Sequence, residues 1–263
     1  MEKFIELGQD MAQLWAAHWD RYLAGIGNTL ALAVVATVIG CVIGLLCGIL
    51  NTIPYTKRDP IIKRFFLKLI RVVVRIYVEV FRGTPMVLQA VFIYYGLPFF
   101  TNEQVMFRGN GGLWLAAIIV VSINTGAYMA ESVRGGIISI DPGQTEGAMA
   151  IGMTHVQTMV SVILPQAIRN IIPQIGNNFI INIKDSSVLC VVGVSDLMFM
   201  TRSVAGIYYK GTECYLIAAI VYLFLTYLSS LLLKAITGRM TAPDNTKRHQ
   251  GNQTVDLGLP SSN

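Results

Sequence analysis

The side chains best suited to contact a small polar solute lie near the end of one apolar segment. Lys184 and Asp185 form an adjacent pair of opposite charges, and Asn182 and Asn178 precede them by about one and two helical turns. Such a pair can bind the carboxylate and the ammonium group of a zwitterion, while the amides supply neutral hydrogen bonds. Alternatively, the pair holds the short apolar segment after Ser187 in place, and selectivity rests with another protein. The sequence leaves both interpretations open.

A second polar stretch begins at Asp141 and has the pattern of a short helix, a break and another helix. Asp141 is a helix-capping residue followed by Pro142, which needs no amide partner at the first helical position. Gly152 is a typical helix terminator. Thr154 and Gln157 have the spacing of a capping box, so the next helix begins immediately. The pattern predicts a helix-turn-helix between two apolar segments.

The first of these two helices carries a surface suited to contact with another protein. Glu146 lies near the positive end of the helix dipole. Gly147 and Ala148 add almost no side chain, so another backbone can approach closely there. We therefore predict a protruding docking helix.

The order of these residues is similar to the cytoplasmic signature loop of permease subunits of bacterial ATP-binding cassette (ABC) importers. The matching positions are Glu146, Gly147, Ala148, Gly152, Leu164 and Pro165, with Gly147 where the family commonly has alanine. Three further blocks resemble the polar amino-acid subgroup of that family: residues 81–85, 128–136 and 184–187. Together the matches span about residues 22 to 235.

This resemblance implies an all-α, polytopic membrane protein of the type I ABC importer permease kind, with about five transmembrane helices and a cytoplasmic coupling helix. It implies that a cytoplasmic ABC ATPase docks on the six signature residues, that a second permease subunit completes the path, and that an external solute-binding protein delivers a polar amino acid. It implies no cofactor. The sequence does not distinguish a homodimer from a heterodimer.

The sequence lacks the motifs of several competing activities. It has no Gly, four residues, Gly-Lys-Ser/Thr loop, so ATP hydrolysis is expected on a partner chain and this chain is not expected to be an enzyme. Its three histidines are far apart and predict no metal site. An ion-coupled secondary transporter of small polar solutes is the alternative, but it would be expected to show internal repeats and acids within spans. Glu131 and Asp185 are only marginal candidates.

The composition independently predicts a membrane protein. Hydrophobic residues make up 54% of the 263 residues and charged residues only 13%, against about a quarter charged in soluble domains. The net charge of +5 does not indicate nucleic-acid binding, because the basic residues lie between apolar spans and not on a soluble domain.

Along the chain we predict three regions. Residues 1–21 have the periodicity of a helix lying at the membrane surface, residues 22–240 form the transmembrane permease domain, and the polar tail 241–263 is expected to be disordered. The predicted spans are 22–50, 85–100, 113–130, 163–183 and 214–235. The stretch after Ser186 is too short to cross and is expected to be re-entrant, followed by an outer loop. Most lysines and arginines fall on the side of the docking helix, which predicts an external N-terminus and a cytoplasmic C-terminus in the bacterial inner membrane.

Two further stretches have a specific pattern. Residues 59–82 predict an amphipathic helix whose basic face would bind anionic membrane lipids at the interface. Ala36, Gly40, Gly44 and Gly48 recur every fourth residue. Such a small-residue stripe allows close helix packing, either within the chain or against another subunit.

Overall fold

The structure is a computed structural model that describes residues 1–53, 59–102, 107 and 109–240, and every regular element in these ranges is helical. The α-helices are α1 (Glu2–Thr52), α2 (Ile61–Gly83), α3 (Met86–Val91), α4 (Leu97–Phe100), α5 (Gly109–Ile138), α6 (Pro142–Ala150), α7 (His155–Thr158), α8 (Leu164–Asp185), α9 (Leu197–Tyr208) and α10 (Gly211–Met240). Short π-helices, Phe92–Gly96 and Met159–Ile163, join α3 to α4 and α7 to α8, and a 3₁₀-helix, Ser186–Val191, follows α8. The all-α prediction is confirmed; the tail 241–263 lies outside the described residues.

Among the described residues, α1, α5 and α10 are long and apolar enough to cross a membrane. The helical stretch from Met86 to Phe100 is apolar but shorter, and α8 carries several amides along its length. All five predicted spans therefore coincide with helical segments. The span 85–100 is short for a membrane crossing, and the polar side chains of the span 163–183 require contact with other helices.

Helix α1 joins the predicted surface helix and the first span in one element. Its only non-helical backbone angles are at His18, where φ is −134° and ψ is 22°. The His18 ring lies 3.1 Å from the Tyr208 hydroxyl, and Asp10 forms an ion pair with Lys210. The segment before His18 is thus tied to the end of α9, and its place at the membrane surface stays a prediction.

The small-residue stripe of α1 packs against α5. A Cβ atom at Gly44 would lie 2.3 Å from the Cβ of Met129, and one at Gly48 would lie 2.5 Å from Val133 Cγ1. Contacts this short exclude any side chain. The stripe therefore serves packing within the chain, the first of the two predicted alternatives.

Helix α2 packs against α5. The Tyr77 hydroxyl donates a hydrogen bond of 2.6 Å to the carbonyl of Ile123, and the Arg82 guanidinium lies over the Tyr128 ring. The end of α2 therefore lies beside the middle of α5 and not beside its end. Arg71, Arg75 and Arg82 line a polar cavity. The position of α2 at the membrane interface stays a prediction.

Side-chain amides bond to backbone carbonyls at the break between α2 and α3. Pro85 lacks an amide, so α2 cannot continue through it. Gln89 Nε2 donates to the carbonyls of Phe81 at 2.9 Å and Thr84 at 3.0 Å. Asn124 Nδ2 donates to the Phe81 carbonyl and to Gln89 Oε1, both at 3.1 Å. These amides replace the backbone partners that the break removes.

The prediction of an outer loop after the re-entrant segment is wrong, because α9 occupies that position. Asp196 caps it by accepting a 2.8 Å hydrogen bond from the Phe199 amide. Leu197, Thr201 and Val204 are buried, at the spacing of one helical face. The apolar face of α9 packs against α1 and α10, which stabilises a helix in a stretch whose scattered charges suggested a loop.

Candidate coupling site and substrate path

The N-terminal end of α6 forms as predicted. The Asp141 side chain accepts a 2.7 Å hydrogen bond from the Gly143 amide, and Pro142 is the first helical residue. An aspartate in this position satisfies one of the amides that have no partner within the helix. The nine residues of α6, Pro142–Ala150, therefore begin at a defined point.

The C-terminal end of α6 is equally defined. Gly152 has φ +86°, a left-handed conformation that favours glycine. Its amide donates to the Met149 carbonyl at 3.0 Å, and the Met153 amide donates to the Ala148 carbonyl at 3.1 Å. This pair of bonds is a Schellman motif, which confirms Gly152 as the terminator.

The capping box of the next helix is also confirmed. The Gln157 amide donates to Thr154 Oγ1 at 3.3 Å, and the Thr154 amide donates to Gln157 Oε1 at 2.8 Å. From this point helical structure continues through the π-helix to α8. Pro165 lies in the first turn of α8 and cannot donate a backbone hydrogen bond. The wider π-turn before it accommodates that missing bond.

The predicted docking residues do not all lie on the surface of the chain. Glu146, Gly147, Gly152 and Pro165 are exposed, and Leu164 is half-buried. Ala148 is only 6% exposed, because α6 packs on the π-helix before α8. Ala148 thus belongs to the packing beneath α6. Of the predicted pair Gly147 and Ala148, only Gly147 is open, and an added Cβ there would meet nothing within 4 Å.

Sequence reasoning missed the apolar part of this surface. Met149, Ile151, Val156 and Val160 are between 52% and 79% exposed. Exposed apolar residues clustered at one projection are typical of protein contacts. Their positions within an otherwise polar stretch are the sequence feature that would have indicated them. We call Glu146 together with these four residues and Gly147 the docking face.

One hydrogen bond joins the docking helix to α8, and a second joins α8 to the end of α5. Gln166 Nε2, on α8, donates to Gln144 Oε1, on α6, at 3.3 Å. Asn170 Nδ2 donates to Ser139 Oγ, at the end of α5, at 3.4 Å. These contacts place the start of α8 between α6 and the end of α5.

Asn178 and Asn182 face the interior of the chain. Each is 5% exposed. Asn182 Nδ2 donates to Thr37 Oγ1 at 2.8 Å and to Thr125 Oγ1 at 3.0 Å, while Asn178 Nδ2 lies 3.1 Å from Met129 Sδ. These amides join α8 to α1 and α5, so their hydrogen-bonding capacity is used within the chain.

Lys184 and Asp185 are exposed, and within the described residues no ion pair joins them. The structure thus separates the four predicted path residues into two buried amides and two exposed charges. The asparagines that α8 leaves exposed are Asn170 and Asn177, which are not among the predicted path residues. The helical period alone does not show which face of a helix meets its neighbours.

We expect Asn182→Ala to weaken the fold without changing substrate preference. The change leaves two buried threonine hydroxyls without their amide partner, at a cost of about 1–2 kcal/mol. Thermal unfolding of the purified protein should show a Tm lower by several degrees. Asn177→Ala, on the exposed face of the same helix, is the control and should leave Tm unchanged. A changed substrate ranking in Asn182→Ala with an unchanged Tm would instead indicate contact with the solute.

Residues 40–242 match the family model described as "Binding-protein-dependent transport system inner membrane component". The chain belongs to this family. One similar protein is the glutamine transport system permease protein GlnP of Escherichia coli, which is 34% identical over 229 residues. The match covers 86% of this chain and 97% of GlnP. The arginine transport system permease protein ArtQ of Bacillus subtilis is 32% identical, with 84% and 93% covered.

Solved structures of ABC transporters contain chains with the same fold. The crystal structure of an amino acid ABC transporter with histidines contains a chain that is 34% identical, with a TM-score of 0.73, covering 85% of this chain and 96% of that one. A chain of the MetNI methionine ABC transporter has a TM-score of 0.67 at 22% identity and shows the shared fold. The chain is therefore a multi-pass permease subunit of an ABC transporter.

Proposed function

We propose that this chain is the permease subunit of an importer that translocates a polar amino acid, driven by a separate ATPase. Relatives named for glutamine and arginine transport support the substrate class. The coupling role rests on one observation about α6, which follows α5 and precedes α8. This helix is capped at both ends and exposes Glu146 and Gly147.

The partners follow from this role. The cytoplasmic ATPase contacts the docking face, and its closure on ATP pulls on α5 and α8 through α6. A second permease subunit, identical or related, completes the solute path, because one chain with so few spans hardly encloses a polar route. An external solute-binding protein delivers the amino acid on the opposite side. This arrangement places the N-terminus outside and the C-terminus in the cytoplasm.

Selectivity rests mainly with the external binding protein under this proposal. The burial of Asn178 and Asn182 supports this view, since both amides are already bonded within the chain. Lys184 and Asp185, being exposed, are available either to the passing solute or to a neighbouring subunit.

We expect Glu146→Lys to reduce ATP-driven uptake at least about tenfold, which corresponds to about 1.4 kcal/mol. The structure places Glu146 in the middle of α6 and not in its first turn, so the helix dipole contributes little there. The change acts by reversing the charge that this exposed position presents to the ATPase. Uptake of labelled glutamine and arginine into proteoliposomes containing the whole complex measures it. Glu2→Lys is the matched control, because Glu2 is an exposed acid at the start of α1, on a different helix from Glu146. Wild-type uptake by the Glu146→Lys complex would refute the coupling role.

A further inference from the structure

The structure divides the basic face of α2 into two parts. Arg71, Arg75 and Arg82, in the second half, line the polar cavity beside α5. Arg64 and Lys68, in the first half, lie outside that lining. Lys68 is exposed and Arg64 is half-buried, and neither forms an ion pair with any residue that the structure describes. Two cations one helical turn apart are thus left for a partner outside this chain.

An apolar surface lies directly beside these two cations. The buried side of α2 consists of Leu67, Val74 and Val78. On the opposite side, the first half of the helix carries a row of large apolar side chains that are between 46% and 81% exposed: Ile61, Phe65, Leu69 and Val72. Both cations border this row. The helix therefore presents positive charge next to exposed apolar surface, the combination found in helices that lie in a membrane interface.

Contacts with the neighbouring helices indicate the depth of this segment. Gly48, near the end of α1, packs against Val133, near the end of α5 that leads to the docking helix. Arg71 donates to the carbonyl of Ile53, which directly follows α1. The two cations precede Arg71 by about 5 and about 10 Å along the helix axis. They therefore lie at or just beyond the end of the predicted span 22–50, on the side of the docking helix, where lipid headgroups begin.

We infer that Arg64 and Lys68 form a site for an anionic phospholipid, whose phosphate contacts the two cations and whose acyl chains lie along the exposed apolar row. The phosphate supplies the negative charge that the cations lack, and the acyl chains cover side chains that an acidic protein surface would leave exposed. Basic segments next to a span are attracted to the cytoplasmic leaflet because its lipids are anionic. The proposed function makes this side the cytoplasmic one, whereas the binding of the lipid does not depend on it.

The test titrates the whole purified complex in neutral detergent with phosphatidylglycerol and, separately, with the zwitterionic phosphatidylethanolamine. Native mass spectrometry counts the bound lipids and gives the apparent Kd of the tightest one. We expect the Kd for phosphatidylglycerol to rise about fivefold in Lys68→Gln and at least about tenfold in the double variant Arg64→Gln and Lys68→Gln. The wild type should bind phosphatidylethanolamine more weakly than phosphatidylglycerol.

A second double variant, Arg169→Gln and Lys234→Gln, is the matched control. It removes the same charge from two exposed residues on other helices and should keep the wild-type Kd. Phosphatidylglycerol should also raise the Tm of the wild type more than that of the α2 double variant, because a ligand that binds the folded state stabilises it. The Tm without added lipid verifies that each variant is folded.

Three results would overturn the inference: equal Kd values for phosphatidylglycerol in the wild type and both α2 variants, equal affinity of the wild type for the two lipids, or loss of the ATPase subunit as the only effect of the α2 variants. The last result would assign the two cations to a protein contact. ATP-driven uptake by the wild-type complex separates this inference from the proposed function. Uptake without the lipid site refutes the site alone, and a lipid site without uptake of any amino acid refutes the importer role alone.

Discussion

Gly44→Val is expected to remove most of the folded protein from the membrane. The first added carbon would lie 2.3 Å from Met129 Cβ and 2.8 Å from the Met129 carbonyl carbon. Because a backbone atom cannot move aside as a flexible side chain can, α1 and α5 must separate. Overpacking costs typically about 1–3 kcal/mol, and here the cost should reach the upper end or exceed it. That is a large part of a total stability of about 5–15 kcal/mol.

The measurement is the yield of monodisperse protein after detergent extraction, together with its Tm. Gly27→Val is the matched control, because Gly27 lies on the same helix and an added Cβ there meets nothing within 4 Å. It should give wild-type yield. If Gly44→Val also gave wild-type yield and Tm, the tight α1–α5 contact would not exist in the membrane.

Gly152→Val is expected to uncouple ATP hydrolysis from transport. Valine is β-branched and strongly disfavours a φ of +86°, and residues forced into such regions cost about 1–3 kcal/mol. The Schellman motif should therefore open and change the angle between α6 and the following helix. We expect uptake to fall at least about tenfold and stimulation of the ATPase by loaded binding protein to disappear, while the permease remains in the membrane.

Gly152→Asn tests the conformational argument, because asparagine tolerates the left-handed region better than other residues with a side chain. It should keep most of the activity. Normal substrate-stimulated ATPase activity in the Gly152→Val complex would contradict the role of this turn in coupling.

The features that the sequence predicts most accurately are those that depend on residues close together in the chain. The Asp141 cap, the Gly152 terminator and the Thr154 capping box each involve groups within a few positions of one another, so local chemistry determines them. The order of the predicted spans was recognisable for a similar reason, since apolar runs long enough to cross a membrane are a property of one segment.

The remaining features depend on which surfaces meet in three dimensions. Ala148 and Gly147 are adjacent, yet one is buried and the other exposed, because the π-helix packs under only one side of α6. The same limit applies to Asn178 and Asn182, whose partners are on α1 and α5. Helix α9 was missed because the charges of Asp196, Arg202 and Lys210 suggested a loop. Its capping aspartate and the helical spacing of its apolar residues were outweighed.

The hydrogen bonds of Asn182 also bear on how the protein is made. Its acceptors, Thr37 and Thr125, belong to helices that precede α8 in the chain. During synthesis, α1 and α5 therefore leave the ribosome first and are already in the bilayer when α8 emerges. A segment with this many amides enters lipid poorly by itself. The order of the helices thus provides α8 with a partly polar surface at the moment of its insertion, and the late arrival of α8 completes the bundle.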